Sequence, residues 1–226
     1  MQALRAAALI ALGSGAAAET VPGLEALVVM PGETVAGQPL AAHANEWWQW
    51  AFSMPDSESP IVDTVGSFCA VGQSGPVWFL AGGYNTSRIE RTCEVPADRH
   101  LFFPVINVVQ MLYPATEADC PAIMAEAAQN NDSFVYLKVI LDGAELNRPE
   151  RFRLASDRCF DPYARTPADA HAPPDALAAT DGFWIMLRPL APGPHHLEFR
   201  AFYTNDDAAL GDMVQNIVYD LVVRAD

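Results

Sequence analysis

Residues Gly66–Val109 read GSFCAVGQSGPVWFLAGGYNTSRIERTCEVPADRHLFFPVINVV, and the reading of the fold turns on them. Two β-rich runs, Val65–Val71 and Pro76–Ala81, flank Gly72-Gln73-Ser74-Gly75, a tight-turn composition. A third run, Arg88–Val95, and a fourth, Leu101–Val109, follow after loop residues. Cys69 lies in the first run and Cys93 in the third, so a bond between them would tie a strand to a neighbour two runs on. The expectation is a disulfide-stapled sheet spanning 61–115, with the rest of the chain packed on it.

Both ends of the sulfur argument point outside the cytosol. The N-terminus, MQALRAAALIALGSGAAAET, has Arg5 in a short leading region, an apolar core from Ala6 to Leu12 and a small-residue site at Ala16-Ala17-Ala18. This is the pattern of a signal peptide, residues 1–18, cleaved after Ala18. The apolar run is shorter than the roughly 20 residues a membrane span needs, and no later stretch is long and apolar enough. All four cysteines, Cys69, Cys93, Cys120 and Cys159, fall after that site. An even count in an exported chain suggests two disulfides. Three pairings exist, and the sequence-local one, Cys69–Cys93 with Cys120–Cys159, is favoured. No Cys-x-x-Cys occurs and no cysteine has a histidine at ligand spacing, so neither a metal nor another cofactor is expected. The expected location is periplasmic or extracellular.

The formal net charge is −15. Leader removal deletes one basic residue, Arg5, and leaves the chain more acidic still. Such a surface opposes binding to nucleic-acid backbone or anionic lipid, both of which call for clustered Lys and Arg.

The mature chain, 19–226, reads as a single domain. Residues 19–60 hold an extended arm (Glu19–Pro39) and a helix over Pro39–Met54. On that helix Leu40, Ala44, Trp47, Ala51 and Met54 form one stripe, which Trp48 and Trp50 widen, and Asn45, Glu46, Gln49 and Ser53 lie opposite. A second helix is expected over 116–132, with Asp119 as N-cap. From 133 to 226 the chain reads as β. Phe134–Leu141 precedes the hairpin signal Asp142-Gly143, and Arg151–Ala155 follows. Ser156–Thr180 reads as a long surface loop. Phe183–Leu190 and His195–Tyr203 look like the arms of a hairpin. Alternation turns Leu197, Phe199, Ala201 and Tyr203 to one face, and in the last strand Ile217, Tyr219, Leu221 and Val223. The fold class expected is mainly β, an immunoglobulin-like or related β-sandwich with an N-terminal amphipathic helix and one short inserted helix.

Several stretches taken together resemble a family of exported bacterial proteins. They are the Trp47-Trp48-x-Trp50 helix, the Gly72–Gly82 segment GQSGPVWFLAG, the run Arg91-Thr92-Cys93…Pro96…Leu101-Phe102-Phe103-Pro104, and the pattern Asp181-Gly182-Phe183-Trp184…Pro189-Leu190…Pro192-Gly193…His195. The likeness covers most of the mature chain, and the last pattern also resembles the final strands of immunoglobulin-like domains. It implies a β fold and export, and brings no activity with it.

Chemistry must therefore be sought residue by residue. His43 and Glu46, three apart on the helix, could serve as an acid/base couple or as two metal ligands, a third ligand then coming from His100 or Asp63. The competing reading is a hydrogen-bonded helix edge. Trp47, Trp48, Trp50 and Trp78 could offer stacking faces to a sugar, or form the core between helix and sheet. Trp50 stands at the edge of the stripe and is the best candidate for a site. Gln73 and Ser74 sit where glycines admit close approach; no GxSxG elbow is present. Arg88 and Arg91 face opposite sides of a strand, one pairing with an acid such as Asp63 and the other free to hold a ligand carboxylate. His195 and His196 likewise face apart. The sequons at Asn85 and Asn131 read as coincidence. The favoured function is an exported soluble binding or accessory protein for a small-molecule or carbohydrate ligand touched by Trp50, Gln73 and Arg91. The alternative is an exported hydrolase or lyase, metal-assisted or not, using His43, Glu46 and His100.

Overall fold

In a computed structural model of the chain, residues 23–84, 87–132, 136–168, 172–204 and 212–225 are described. The elements are α1 (Leu24–Leu27), β1 (Thr34–Val35), β2 (Gln38–Pro39), α2 (Leu40–Phe52), β3 (Val77–Phe79), β4 (Ile89–Pro96), β5 (His100–Leu112), α3 (Cys120–Asp132), β6 (Tyr136–Leu141), β7 (Ala144–Glu145), β8 (Arg153–Ala155), β9 (Leu177–Leu187), β10 (Gly193–Tyr203) and β11 (Met213–Arg224). The proposed leader, with its cleavage site, lies outside the described residues, as does the Asn85 sequon.

Period-2 alternation builds the core. Leu197, Phe199, Ala201 and Tyr203 of β10 and Ile217, Tyr219, Leu221 and Val223 of β11 turn inward, as the sequence predicts. Their sheet has the order β4-β11-β10-β6-β7, with β4 and β11 parallel. It packs on a second sheet, β3-β5-β9-β8, through Phe103, Val105, Phe183 and Ile185. The result is a β-sandwich. The second sheet is buried on both faces, because α2 covers its far side through Trp47, Trp48 and Trp50 against Phe102, Trp184 and Met186. Strands covered on both sides read as near-continuous apolar runs, as the Phe183–Leu187 half of β9 does.

A register shift between Pro104 and Ile106 fits this three-layer arrangement. Before it, odd residues of β5 (Leu101, Phe103) face the sheet-to-sheet core and Phe102 faces α2. After it the parity reverses: Ile106 and Val108 face the sheets, Val109 and Met111 face α2. The extra residue at the bulge also accommodates Pro104 in a central strand, where its missing N–H would otherwise break the ladder.

Five expectations are corrected. Val65–Val71 is a series of turns, not a strand, because the Asp63 carboxylate accepts the N–H groups of Val65, Gly66 and Phe68 at 2.8–3.1 Å and curls the chain. No hairpin therefore forms at Gly72–Gly75; β3 pairs instead with β5, in parallel. The 66–109 stretch does not make one sheet: β3 and β5 enter one layer and β4 the other. Cys69–Cys93 and Cys120–Cys159 are both bonded, but the first joins a turn to β4 rather than two strands. Likewise β9 and β10 belong to different sheets, so the run through Pro189–Pro192 is a crossing between layers, not a hairpin.

Smaller departures have local causes. The arm over 19–39 is not simply extended: α1 interrupts it, and Val28 bridges to Leu187. Thr116, not Asp119, caps the second helical segment, with Asp119 returning the bond at 2.8 Å. The long loop after Ser156 ends early because β9 starts at Leu177. Asp142 and Gly143, both at positive φ, do form the expected turn between β6 and β7.

Candidate functional site

Helix α2 places its tryptophans by packing and by one hydrogen bond each. The Trp47 indole N–H donates to the Leu80 carbonyl at 3.0 Å, that of Trp48 to the Thr180 hydroxyl at 2.8 Å, and that of Trp50 to the Val71 carbonyl at 2.9 Å. Trp50, the candidate ligand contact, is 0% exposed. Gln73 is also engaged internally. Its amide donates to the Phe79 carbonyl (2.8 Å) and the Cys69 carbonyl (3.0 Å), and accepts the Phe79 N–H (2.9 Å). It caps the open edge of β3 much as a neighbouring strand would. Gln215 repeats the device on Gly83.

Arg91, the third expected contact, is 1% exposed. Its guanidinium donates to the carbonyls of Asp63, Ala81, Ile61 and Gly82 and to the Tyr219 hydroxyl. It lies over the Tyr219 ring, 5.4 Å from the centroid. Asp63 meets it through its backbone, since the Asp63 carboxylate holds the turn. Arg88 pairs with exposed Glu90. Trp50, Gln73 and Arg91 thus face inward on separate elements, and each has internal partners where a ligand contact was expected.

The other rim of α2 is different. His43 is buried, and both of its ring nitrogens face acceptors: Nδ1 meets Glu46 Oε2 at 3.1 Å and Nε2 meets the Val35 carbonyl at 3.0 Å. A carbonyl cannot donate, so Nε2 carries hydrogen toward Val35. The Gln38 amide donates to the other Glu46 oxygen at 3.1 Å. The His43 bond, with burial opposing it and Gln38 assisting, holds the Glu46 carboxyl below its ordinary range. Pro39, the N-cap of α2, closely follows the β1–β2 turn at Ala36 and Gly37, both at positive φ. That turn is what brings the Val35 carbonyl and Gln38 over the helix rim.

His43, Glu46 and Gln38 line a cavity of about 150 Å³ together with Ser74, Gly75 and Arg165. Arg165 comes from the loop after Cys159. Gln49 of α2 holds that loop at the Asp161 carbonyl (2.9 Å), and Thr166 holds it at the Phe52 carbonyl (3.3 Å). The guanidinium sits over Phe79, 5.8 Å from the ring centroid, and 3.9 Å from Glu46 Oε2. Sequence reasoning passed over Arg165. The signal was its rarity, one of 13 basic residues against 28 acids, in a loop tethered by a cysteine.

His43 and Glu46 therefore meet as predicted, and the Gly72–Gly75 turn reaches the same rim, but His100 does not line the cavity. It begins β5 beside Val77, half-buried, with its pKa pushed down by burial and then by the positive charges of Arg188 and His43. Among the described residues no group of three His, Cys, Asp or Glu is placed to hold a metal ion. His195 and His196 face apart, His195 toward Asp142 and His196 toward Asp220 and Glu198. The Asn131 amide is buried and donates to the Asp181 carbonyl. No family model matches the chain, and neither a curated protein nor a solved structure is similar to it.

Proposed function

We propose that this is an exported binding or accessory protein whose small-molecule ligand occupies the cavity between the α2 rim and the Gly72–Gly75 turn. One observation carries the reading: an ionisable pair, His43 and Glu46, is held in place by Val35 and Gln38 at the wall of a cavity that also receives Arg165. Fixed polar groups converging on a small concavity are what a binding site needs. Export is supported by the leader pattern and by the two disulfides. Among the described residues no helix is long and apolar enough to cross a membrane.

The hydrolase or lyase reading has less support. A general base needs a free lone pair, and both His43 nitrogens are engaged within the fold.

The test is calorimetric titration with a panel of monosaccharides, amino acids and small organic acids, on the wild type and on Ser74→Trp. Ser74 is exposed on the turn, so the indole fills the cavity mouth without disturbing the core. Loss of binding in Ser74→Trp is expected. A panel member that binds both proteins equally places the site elsewhere.

A further inference from the structure

Resting on that cavity as the binding site, we infer that its ligand is a small monocarboxylate with a short alkyl or hydroxyalkyl tail, gripped by Arg165. Arg165 makes no hydrogen bond to any described residue; its contacts are the Phe79 ring and Glu46 at 3.9 Å. With its carbon 5.8 Å from the Phe79 centroid and none of its N–H groups hydrogen-bonded to a described residue, the guanidinium has those donors available for a planar acceptor. A carboxylate matches that fork with two parallel bonds.

The charges lining the cavity are those of His43, Glu46 and Arg165. His43 and Glu46 are hydrogen-bonded to each other at 3.1 Å, and the remaining His43 nitrogen meets the Val35 carbonyl, so this pair is satisfied within the fold. Arg165 is the cation of the cavity that has no hydrogen bond to a described residue, and it selects an anion in a chain of net charge −15. A second carboxylate on the ligand would be driven against Glu46. The remaining walls are apolar at Val77 and Phe79 and hydroxylic at Ser74, which suits a short chain with at most a hydroxyl group. The volume, about 150 Å³, matches that of a cavity able to hold a benzene-sized molecule, which suits a ligand of few non-hydrogen atoms.

The experiment titrates lactate, butyrate, succinate and the neutral isostere lactamide into wild type, Arg165→Gln and Ser74→Trp, with urea midpoints measured alongside. Lactate or butyrate should bind the wild type, lactamide and succinate at least about tenfold more weakly. Arg165→Gln should weaken the monocarboxylates by about tenfold or more while moving the urea midpoint little, since Arg165 makes no hydrogen bond to a described residue and its ion pair with Glu46 is long, at 3.9 Å. Lactamide binding as tightly as lactate, or an unchanged lactate affinity in Arg165→Gln, overturns the carboxylate assignment. If Ser74→Trp still blocks that binding, the cavity reading survives alone. Lactate binding indifferent to both substitutions removes the cavity as well. An absence of monocarboxylate binding at millimolar concentration refutes the inference outright.

Discussion

At the scale of the residue, the fold turns on a cation in the core. Arg91 shares its face of β4 with Ile89, Cys93 and Val95, where alternation calls for an apolar side chain. Its acceptors are mainly carbonyls from 61–63 and 81–82, so one side chain fastens two irregular segments to a strand. Arg91→Met would leave the buried carbonyls of Ile61, Asp63 and Gly82 without donors, while that of Ala81 keeps the Tyr219 hydroxyl. At 1–3 kcal/mol for each buried group stranded, the loss should exceed about 3 kcal/mol, measured by urea denaturation. Arg91→Lys keeps the charge but not the fork, and should fall between. Asp63 supplies the partner argument. Burial opposes its charge, yet the N–H groups of Phe68, Val65 and Gly66, aided by the charge of Arg91, hold its carboxyl below the ordinary range. A lowered folded pKa contributes stability that is full above the ordinary aspartate value and lost as pH falls through the lowered one. Asp63→Asn should therefore cost about 1–3 kcal/mol at neutral pH, and the gap to wild type should close on acidification. A gap constant with pH would mean the charge is irrelevant to the turn.

At the scale of the element, what was legible followed a period. Helix α2 was marked by its stripe, β10 and β11 by strict alternation, and the β6–β7 turn by Asp-Gly. What was not legible depended on distant partners. Val65–Val71 has strand composition, but a carboxylate just before it takes its N–H groups. The burial of Trp50, Gln73 and Arg91 rests on Val71, Phe79 and Tyr219, the last 128 positions away from Arg91. Only the half of the site written on one helix, His43 and Glu46, could be read directly. Arg165 reaches it by a loop whose path depends on the Cys120–Cys159 bond. That bond closes a segment with a sequence separation of 39, for which chain-entropy arguments give about 4 kcal/mol. The Cys120→Ala/Cys159→Ala double variant should lose about 2–4 kcal/mol in urea denaturation. It should also weaken any ligand held by Arg165 more than Cys69→Ala/Cys93→Ala does, because the second bond anchors a turn on β4 and not the loop. Equal effects on affinity would show that the loop is positioned by Gln49 and Thr166 alone.

At the scale of the whole molecule, the four-stranded sheet is shared by two cores. Phe102 stacks on Trp184 at 5.3 Å on the α2 side, while its neighbour Phe103 stacks on Phe199 at 4.9 Å on the other. Consecutive residues of one strand thus support opposite layers, so a strand displaced by loss of packing on one side is displaced on both. This predicts a single unfolding transition despite three layers. Trp47, Trp48, Trp50 and Trp184 all belong to the α2 core, whereas Trp78 packs against the sheet-to-sheet core. In a Trp78→Phe background, indole fluorescence therefore reports the helix layer and far-UV circular dichroism reports the strands. Phe199→Ala opens a cavity in the core that contains none of the remaining tryptophans and should cost about 3–5 kcal/mol. The expected result is one urea midpoint by both probes in the parent, and an equal shift of both in the variant. A fluorescence midpoint that stayed in place while the dichroism moved would make α2 with its tryptophans a separate folding unit. The cavity at the α2 rim would then open without unfolding the sandwich.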